Sequence, residues 1–379
     1  MVRPRRVSGR SGGTAALRPA LVGVGLAAAA MSLAGCGLGD RFASGKTLGF
    51  VLASNDYLMY QTPGAKAECP LGFAPNNRAQ WEAQFPTPEA RQAHLKRCLA
   101  TANRGPNCEN VWAEPTLIKD PLPYHAVQGA VSYGLDLDGT DGAATDKTCK
   151  HQNFVSPTGA KGIDNQYYRF LGCEWFVQGG QHHSAQQAKR RTIEYQVNRI
   201  LVEVRGVQSE KDDKHVEVIL YRGKDPLMVN AEEDAVPWQS QRIDESIPGV
   251  RLKGRIENGE LITEPRDVVF EDVLLERRQL VRHMSLRLKL SGEKADGLRV
   301  GYIDLARFWQ SYSRTAKWGG KIYGASGPSA YAALQELADG DKDPRTGACT
   351  SLSSAKKYTF VRAYLIHPTG DAAKREAIP

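Results

Sequence analysis

Two stretches of the chain concentrate oxygen donors. "LDLDGTDG", residues 135–142, carries Asp136, Asp138 and Asp141, with Asp146 shortly after, and "GIDNQYYRFLGC", residues 162–173, adds Asp164, Asn165 and Gln166. Carboxylates crowded on a glycine-rich loop repel one another unless a cation, a lysine or water intervenes, and hard oxygen donors of this kind suit Ca²⁺. The expected ligand set is Asp136, Asp138, Asp141, Asp164, Asn165 and Gln166, drawn together if Cys149 bonds to Cys173, with Tyr167, Tyr168 and Phe170 packing alongside. The EF-hand spacing is not met, because Asp141 stands where the invariant glycine belongs and no glutamate closes a twelve-residue loop. The competing reading is a set of solvated turns whose Asp and Asn side chains bond nearby backbone.

A second acidic run, "DGDKDPRTGACTS", places Asp339, Asp341 and Asp343 at alternate positions. Pro344 replaces the glycine of a calcium loop and Thr350 its closing glutamate, so a polar turn held by Cys349 is the better reading. Other signatures fail on single residues. "GDRFASGKT" has Asp40 in place of the first glycine of a phosphate loop, and "YGASGPS" has Pro328 at the second glycine of a nucleophile elbow. "CKH" at Cys149 to His151 lacks the paired cysteines of a haem attachment, and the adjacent His182 and His183 diverge on a strand. No haem and no nucleotide is expected. Glu174 beside Trp175, or Asp164 beside Tyr167, is the type of carboxylate that acts on sugars in pairs, but Trp175 and Phe176 read more simply as core residues of a strand after Cys173.

The first segment sets the compartment. Arg3, Arg5, Arg6, Arg10 and Arg18 precede the apolar run "ALVGVGLAAAAMSLAGC", which has the order of an export signal and is short for a membrane span. "LAGC", ending at Cys36, resembles the lipobox of bacterial lipoproteins, which implies cleavage before Cys36 and lipidation of its sulfur. Gly37, in place of a retaining Asp, favours the outer membrane. Loss of residues 1–35 removes five arginines, so the formal charge of +8 falls to about +3 and basicity says little about partners. No basic block is interleaved with aromatics, and no nucleic-acid role is read. The remaining Cys69, Cys98, Cys108, Cys149, Cys173 and Cys349 are an even set in an oxidising space, consistent with three disulfides. Proximity in sequence favours Cys149 with Cys173 and Cys98 with Cys108, leaving Cys69 for Cys349.

These residues need a scaffold, and the periodicity predicts one. "RILVEVRGV", "HVEVILYRG", "VRLKGRI", "ELIT", "HMSLRLKLSG", "LRVGYIDL" and "YTFVRAYLIHP" alternate or run apolar as strands do, and "TLGFVLASNDYLMY" reads as another. Asn258-Gly259 marks a tight hairpin between two of them. Helices are expected after Thr87 as N-cap with Pro88 in the first turn, from Ser184, and from Ser329 as a cap. Many short strands and few helices argue for a mainly β fold, an antiparallel β-sandwich with a disulfide-held irregular N-terminal region. The expected organisation is a signal peptide over 1–35, anchor and tether over 36–60, an irregular cysteine-containing region over 61–123, the sandwich over 124–367 and a tail over 368–379.

Taken together, "RGPNCENVW", "DPLPYHAVQGAVSYGLDLDG", "CKHQNFVSPTGAKGIDNQYYRFLGC", "VEVRGV", "GRIENGELITEP" and "DGDKDPRTGACTSLS" resemble a set of exported or lipid-anchored bacterial proteins sharing an LDLDG and GIDNQ core. The resemblance spans roughly Arg104 to His367 and implies an exported architecture without any activity. The expectation is a non-enzymatic, lipid-anchored envelope protein that binds a polymer, glycan or partner protein, with Ca²⁺ as candidate ion. The alternatives are a lipid-anchored carbohydrate hydrolase using a pair from Asp136, Asp138, Asp164 and Glu174, and a structural component of an envelope or secretion complex.

Overall fold

The computed structural model describes residues 45–73, 82–83, 85–97, 107–119, 123–174, 177, 189, 192–194, 199–270, 279–313 and 327–368. The strands are β1 (Lys46–Tyr57), β2 (Ile200–Val207), β3 (Asp213–Arg222), β4 (Gln239–Arg242), β5 (Val250–Glu257), β6 (Glu260–Thr263), β7 (Arg266–Phe270), β8 (Gln279–Ser291), β9 (Lys294–Asp304), β10 (Gly340–Lys342) and β11 (Cys349–Ile366). Eight of them, in the order β1-β2-β3-β5-β6-β8-β9-β11, form an antiparallel ring that closes because β11 also pairs with β1, Phe50 opposite Arg362. The fold is therefore mainly β and antiparallel as expected, but a closed barrel and not a sandwich. Period-two alternation reports one buried face per strand in either architecture. Closure is decided by long-range pairing of the first strand with the last, which periodicity does not encode.

Side chains fill the barrel. Phe50, Val202, Val218, Leu252, Leu261, Leu286, Leu288 and Phe360 all point inward and are buried in one apolar cluster. Eight strands enclose little more than the volume of their own inward side chains, and full burial of each Leu, Val or Phe stabilises by about 1.5–3 kcal/mol. A bulge in β8 keeps the pattern in phase. His283 has φ +50, the register shifts between Arg282 and Ser285, and Val281 and Met284 both end on the inside. The predicted hairpin is present: Asn258 and Gly259 have φ +51 and +74, and Glu257 pairs with Glu260.

Outside the ring, β4 runs parallel to the end of β11, β7 continues the pairing with β8, and β10 pairs with the start of β11. Over the β9 and β11 side lie the short helix Gln166–Leu171, a helical segment at 305–313 and the helix Gly327–Leu337, packed through Phe170, Phe308, Tyr312 and Leu334. The helix Pro88–Arg97 starts as predicted, with Thr87 Oγ1 accepting from Ala90 N at 3.2 Å. The C-terminal helix begins at Gly327, so Ser329 lies inside it instead of capping it. The helix predicted from Ser184 falls largely outside the described residues, as do Trp175, Phe176, His182, His183 and Cys36, the expected lipidation site.

The cross-links differ from the proximity expectation. Cys69 bonds to Cys173 and Cys149 to Cys349, spanning 104 and 200 residues. Neither Cys149–Cys173 nor Cys69–Cys349 forms. Sequence distance is a poor guide because long-range pairing lays the segment before β11 beside Cys149, whose N donates to the Asp339 carbonyl. Cys108 is also disulfide-bonded, while Cys98 lies outside the described residues.

Candidate functional site

The GIDNQ stretch is an internal keystone. Asn165 caps the helix Gln166–Leu171, its Oδ1 accepting from Tyr168 N at 3.2 Å and from Ala355 N of β11 at 3.3 Å. Its Nδ2 donates to Ser132 Oγ and to the Tyr133 carbonyl. Gln166 donates through its backbone N to Ser353 Oγ and through Nε2 to the Gln152 carbonyl, and its Oε1 accepts from Arg169 Nε. Arg169 is buried, donates to the Val127 and Gln152 carbonyls, and lies 4.0 Å from the centre of the Phe154 ring. A six-residue helix has no stability of its own. Polar side chains that saturate one another across the gap to β11 hold it there, so the oxygens of Asn165 and Gln166 are committed to protein donors.

The carboxylates divide. Asp136 Oδ1 accepts from Gly139 N at 2.7 Å, closing a local turn, and Asp141 is exposed. Asp138 and Asp164 instead converge with His151, donor atoms of the three lying within 4.8 Å of one another. Asp164 is buried, with Oδ2 accepting from Leu137 N at 2.7 Å and Oδ1 2.9 Å from His151 Nε2. The other ring nitrogen of His151, Nδ1, is 2.8 Å from the Cys149 carbonyl. Burial disfavours the charged ring, yet the Asp164 hydrogen bond, the Cys149 carbonyl and the nearby Asp339 outweigh it and lift the His151 pKa to about 9. Asp138 Oδ1 accepts from Thr140 N and Oγ1, both at 2.9 Å, whereas its Oδ2 is buried without a partner.

The second acidic run meets the first here. Cys149 N donates to the Asp339 carbonyl at 3.0 Å, and the Cys149–Cys349 bond ties the His151 segment to the start of β11. Asp339 is wholly buried; its Oδ1 accepts from Ser353 N at 2.7 Å and its Oδ2 has no partner. Burial pushes its pKa up to about 7, with hydrogen bonds from Ser353 and the charge of His151 acting the other way. Tyr302 packs among these acids, its hydroxyl pKa raised by burial and by the charges of Asp339, Asp164, Asp138 and Asp341. Asp341, half-buried, accepts from Ser351 Oγ at 2.7 Å and lies 3.4 Å from His283 Nε2. His151 and Asp339 are the members that the calcium reading lacked. Their signal was the pair of cysteines beside them: bonding Cys149 to Cys349 brings the two acidic runs together.

Glu174 is a separate buried acid. Its Oε1 accepts from Tyr312 at 2.5 Å and from Tyr124 at 2.9 Å, and burial raises its pKa to about 8 against those two bonds. Asp164 and Glu174 are thus both buried, each with one or more carboxylate oxygens bonded to protein donors.

A different surface faces solvent. Trp238 is 47% and Tyr364 58% exposed, with ring centres 5.8 Å apart at 40°. They stand where β4 pairs with the end of β11, Ser240 opposite Tyr364 and Arg242 opposite Ile366, and the exposed residues of both strands share one strip. Trp238 has φ +62, a conformation that a bulky side chain adopts only under constraint. Its N–H donates to the Arg362 carbonyl at 2.6 Å, and the next residue, Gln239, is locked by bonds to both backbone groups of Met228 and to the Val236 carbonyl. Arg242 is held on the same strip by Asp225 through Nε at 2.7 Å. Compared with known proteins, the chain matches no family model, no curated protein and no solved structure. Among the described residues no helix is long and apolar enough to cross a membrane.

Proposed function

We propose that the protein is a lipid-anchored component of the bacterial envelope, held through Cys36, that binds a glycan chain on the outer wall of its barrel. The observation that carries this reading is the half-exposed pair Trp238 and Tyr364. Two exposed aromatic rings, tilted 40° to each other, offer apolar faces, and the hydroxyl of Ser240 with the Arg242–Asp225 pair supplies polar groups beside them. A strained backbone that holds a tryptophan half out of the core is the kind of local cost that function maintains. The packed barrel interior directs binding to the outer wall. The reading is recognition without bond cleavage, since two of the four candidate acids, Asp164 and Glu174, are buried.

The test is affinity electrophoresis of the full chain against a panel of envelope and environmental polysaccharides. Trp238→Ala and Tyr364→Ala are expected to lower the affinity at least tenfold without lowering the melting midpoint. Undiminished binding by both variants rules out this strip, and cross-linking of the strip to an envelope protein instead of a glycan replaces the ligand class. Release of reducing sugar that Asp164→Asn abolishes would establish the hydrolase in place of the binding module.

A further inference from the structure

We propose that Asp138, His151 and Asp164 form a site for a divalent first-row transition-metal ion, with Asp339 completing the acidic surroundings. The inference is independent of the glycan reading and rests on four observations. First, one imidazole nitrogen and two carboxylates bring donor atoms within 4.8 Å of one another. His151 Nε2 and Asp164 Oδ1 already lie 2.9 Å apart, and donors at about 2.1 Å from a tetrahedral ion lie about 3.4 Å apart, so closure draws in the farthest donors by up to about 1.4 Å.

Second, Asp138 Oδ2, an oxygen of the cluster itself, is buried with no hydrogen-bond partner among the described residues. A buried carboxylate oxygen left unsatisfied costs free energy, which an ion relieves. Third, Asp138 and Asp164 flank a single imidazole, a donor set of two carboxylates and one ring nitrogen whose charge a divalent cation matches.

Fourth, the orientation of the ring suits coordination. Nδ1 lies 2.8 Å from the Cys149 carbonyl, so a neutral His151 keeps its proton there and turns an unprotonated Nε2 towards Asp138 and Asp164. The ion then takes the position of the Nε2 proton, which leaves to solvent. Asp138 is only partly buried and provides the route in. Imidazole with carboxylates favours Zn²⁺, Mn²⁺, Fe²⁺, Co²⁺ or Ni²⁺ over Ca²⁺, whose ligands are all oxygen. The ion is therefore of a different class from the one that the run of carboxylates and amides alone suggests.

The experiment is calorimetric titration of the full chain, purified in detergent without a histidine tag and stripped with chelator, with Zn²⁺, Mn²⁺ and Ca²⁺ separately. One equivalent of Zn²⁺ or Mn²⁺ should bind, at least tenfold more tightly than Ca²⁺. Asp138→Asn should weaken it tenfold or more, while Asp141→Asn, at an exposed position outside the corner, should leave it unchanged. His151→Gln adds a second readout, because Co²⁺ loaded into the wild-type chain should lose its visible absorption pattern in this variant. If His151→Gln fails to fold, Asp138→Asn decides alone. Absence of one-equivalent binding, preference for Ca²⁺, or equal affinity in Asp138→Asn would overturn the assignment.

Discussion

The barrel and the layer that covers its β9 and β11 side are held by opposite means. Inside the ring, Leu252, Leu286, Leu288 and Phe360 pack in one apolar cluster. In the covering layer, the helix Gln166–Leu171 is buried at every residue although it contains Gln166, Tyr167, Tyr168 and Arg169. Burial of apolar area is non-directional and tolerates repacking. The covering layer relies on hydrogen bonds that must all be made at once, and on two disulfides that tie it to distant parts of the chain. A satisfied polar network specifies one arrangement, and the loss of one member leaves others buried without partners.

The largest expected effect tests that division directly. Replacing both bonded pairs, Cys69 with Cys173 and Cys149 with Cys349, by serine should cost roughly 2–5 kcal/mol for each long loop released. Hydrogen exchange should then show the amides of 123–174 opening well before those of β2, β3 and β5; simultaneous opening would mean that barrel and cover are one cooperative unit. Next come two single substitutions. Leu288→Ala should cost about 3 kcal/mol by leaving a cavity in the barrel. Asn165→Ala should cost about 2 kcal/mol by orphaning its capping and strand partners, and chemical denaturation measures both. A loss below about 0.5 kcal/mol for Asn165→Ala would show that water replaces its bonds.

The smallest effect per unit change is a pH slope from Glu174. Its pKa is 4.5 when unperturbed and about 8 in the folded chain, so between those values the folded state holds a proton that the unfolded state has lost. Stability contributed by this group should therefore fall as pH rises through that window, by up to about 1.4 kcal/mol per unit, and level off above it. Glu174→Gln should flatten the slope in thermal melts between pH 5 and 8. An unchanged slope would assign the pH dependence to other buried acids.

The strands were legible because β2, β3, β5, β8 and β9 each carry an inward apolar face, and Asn258-Gly259 fixed a turn that needs positive φ at both residues. Half of the acidic set was legible too, since Asp138 and Asp164 do converge. His151 and Asp339 were not. In sequence Asp339 belongs only to a separate run and His151 only to a failed haem motif, and their segments meet through a disulfide that spans 200 residues. Asn165 and Gln166 were misleading for a related reason: an amide that caps a helix and one that binds a metal are the same residue type, and only the partners distinguish them.

The amino-acid sequence by itself determined the mainly β character, the hairpin at Asn258-Gly259 and the cap at Thr87, because periodicity and turn chemistry are local properties. Tertiary structure alone decided that the sheet closes into a barrel, which cysteines pair, that Trp238 and Tyr364 stand together on its wall, and that two acidic runs share one corner. Those outcomes depend on contacts between residues a hundred or more positions apart, and long-range pairing leaves no periodic trace in the chain.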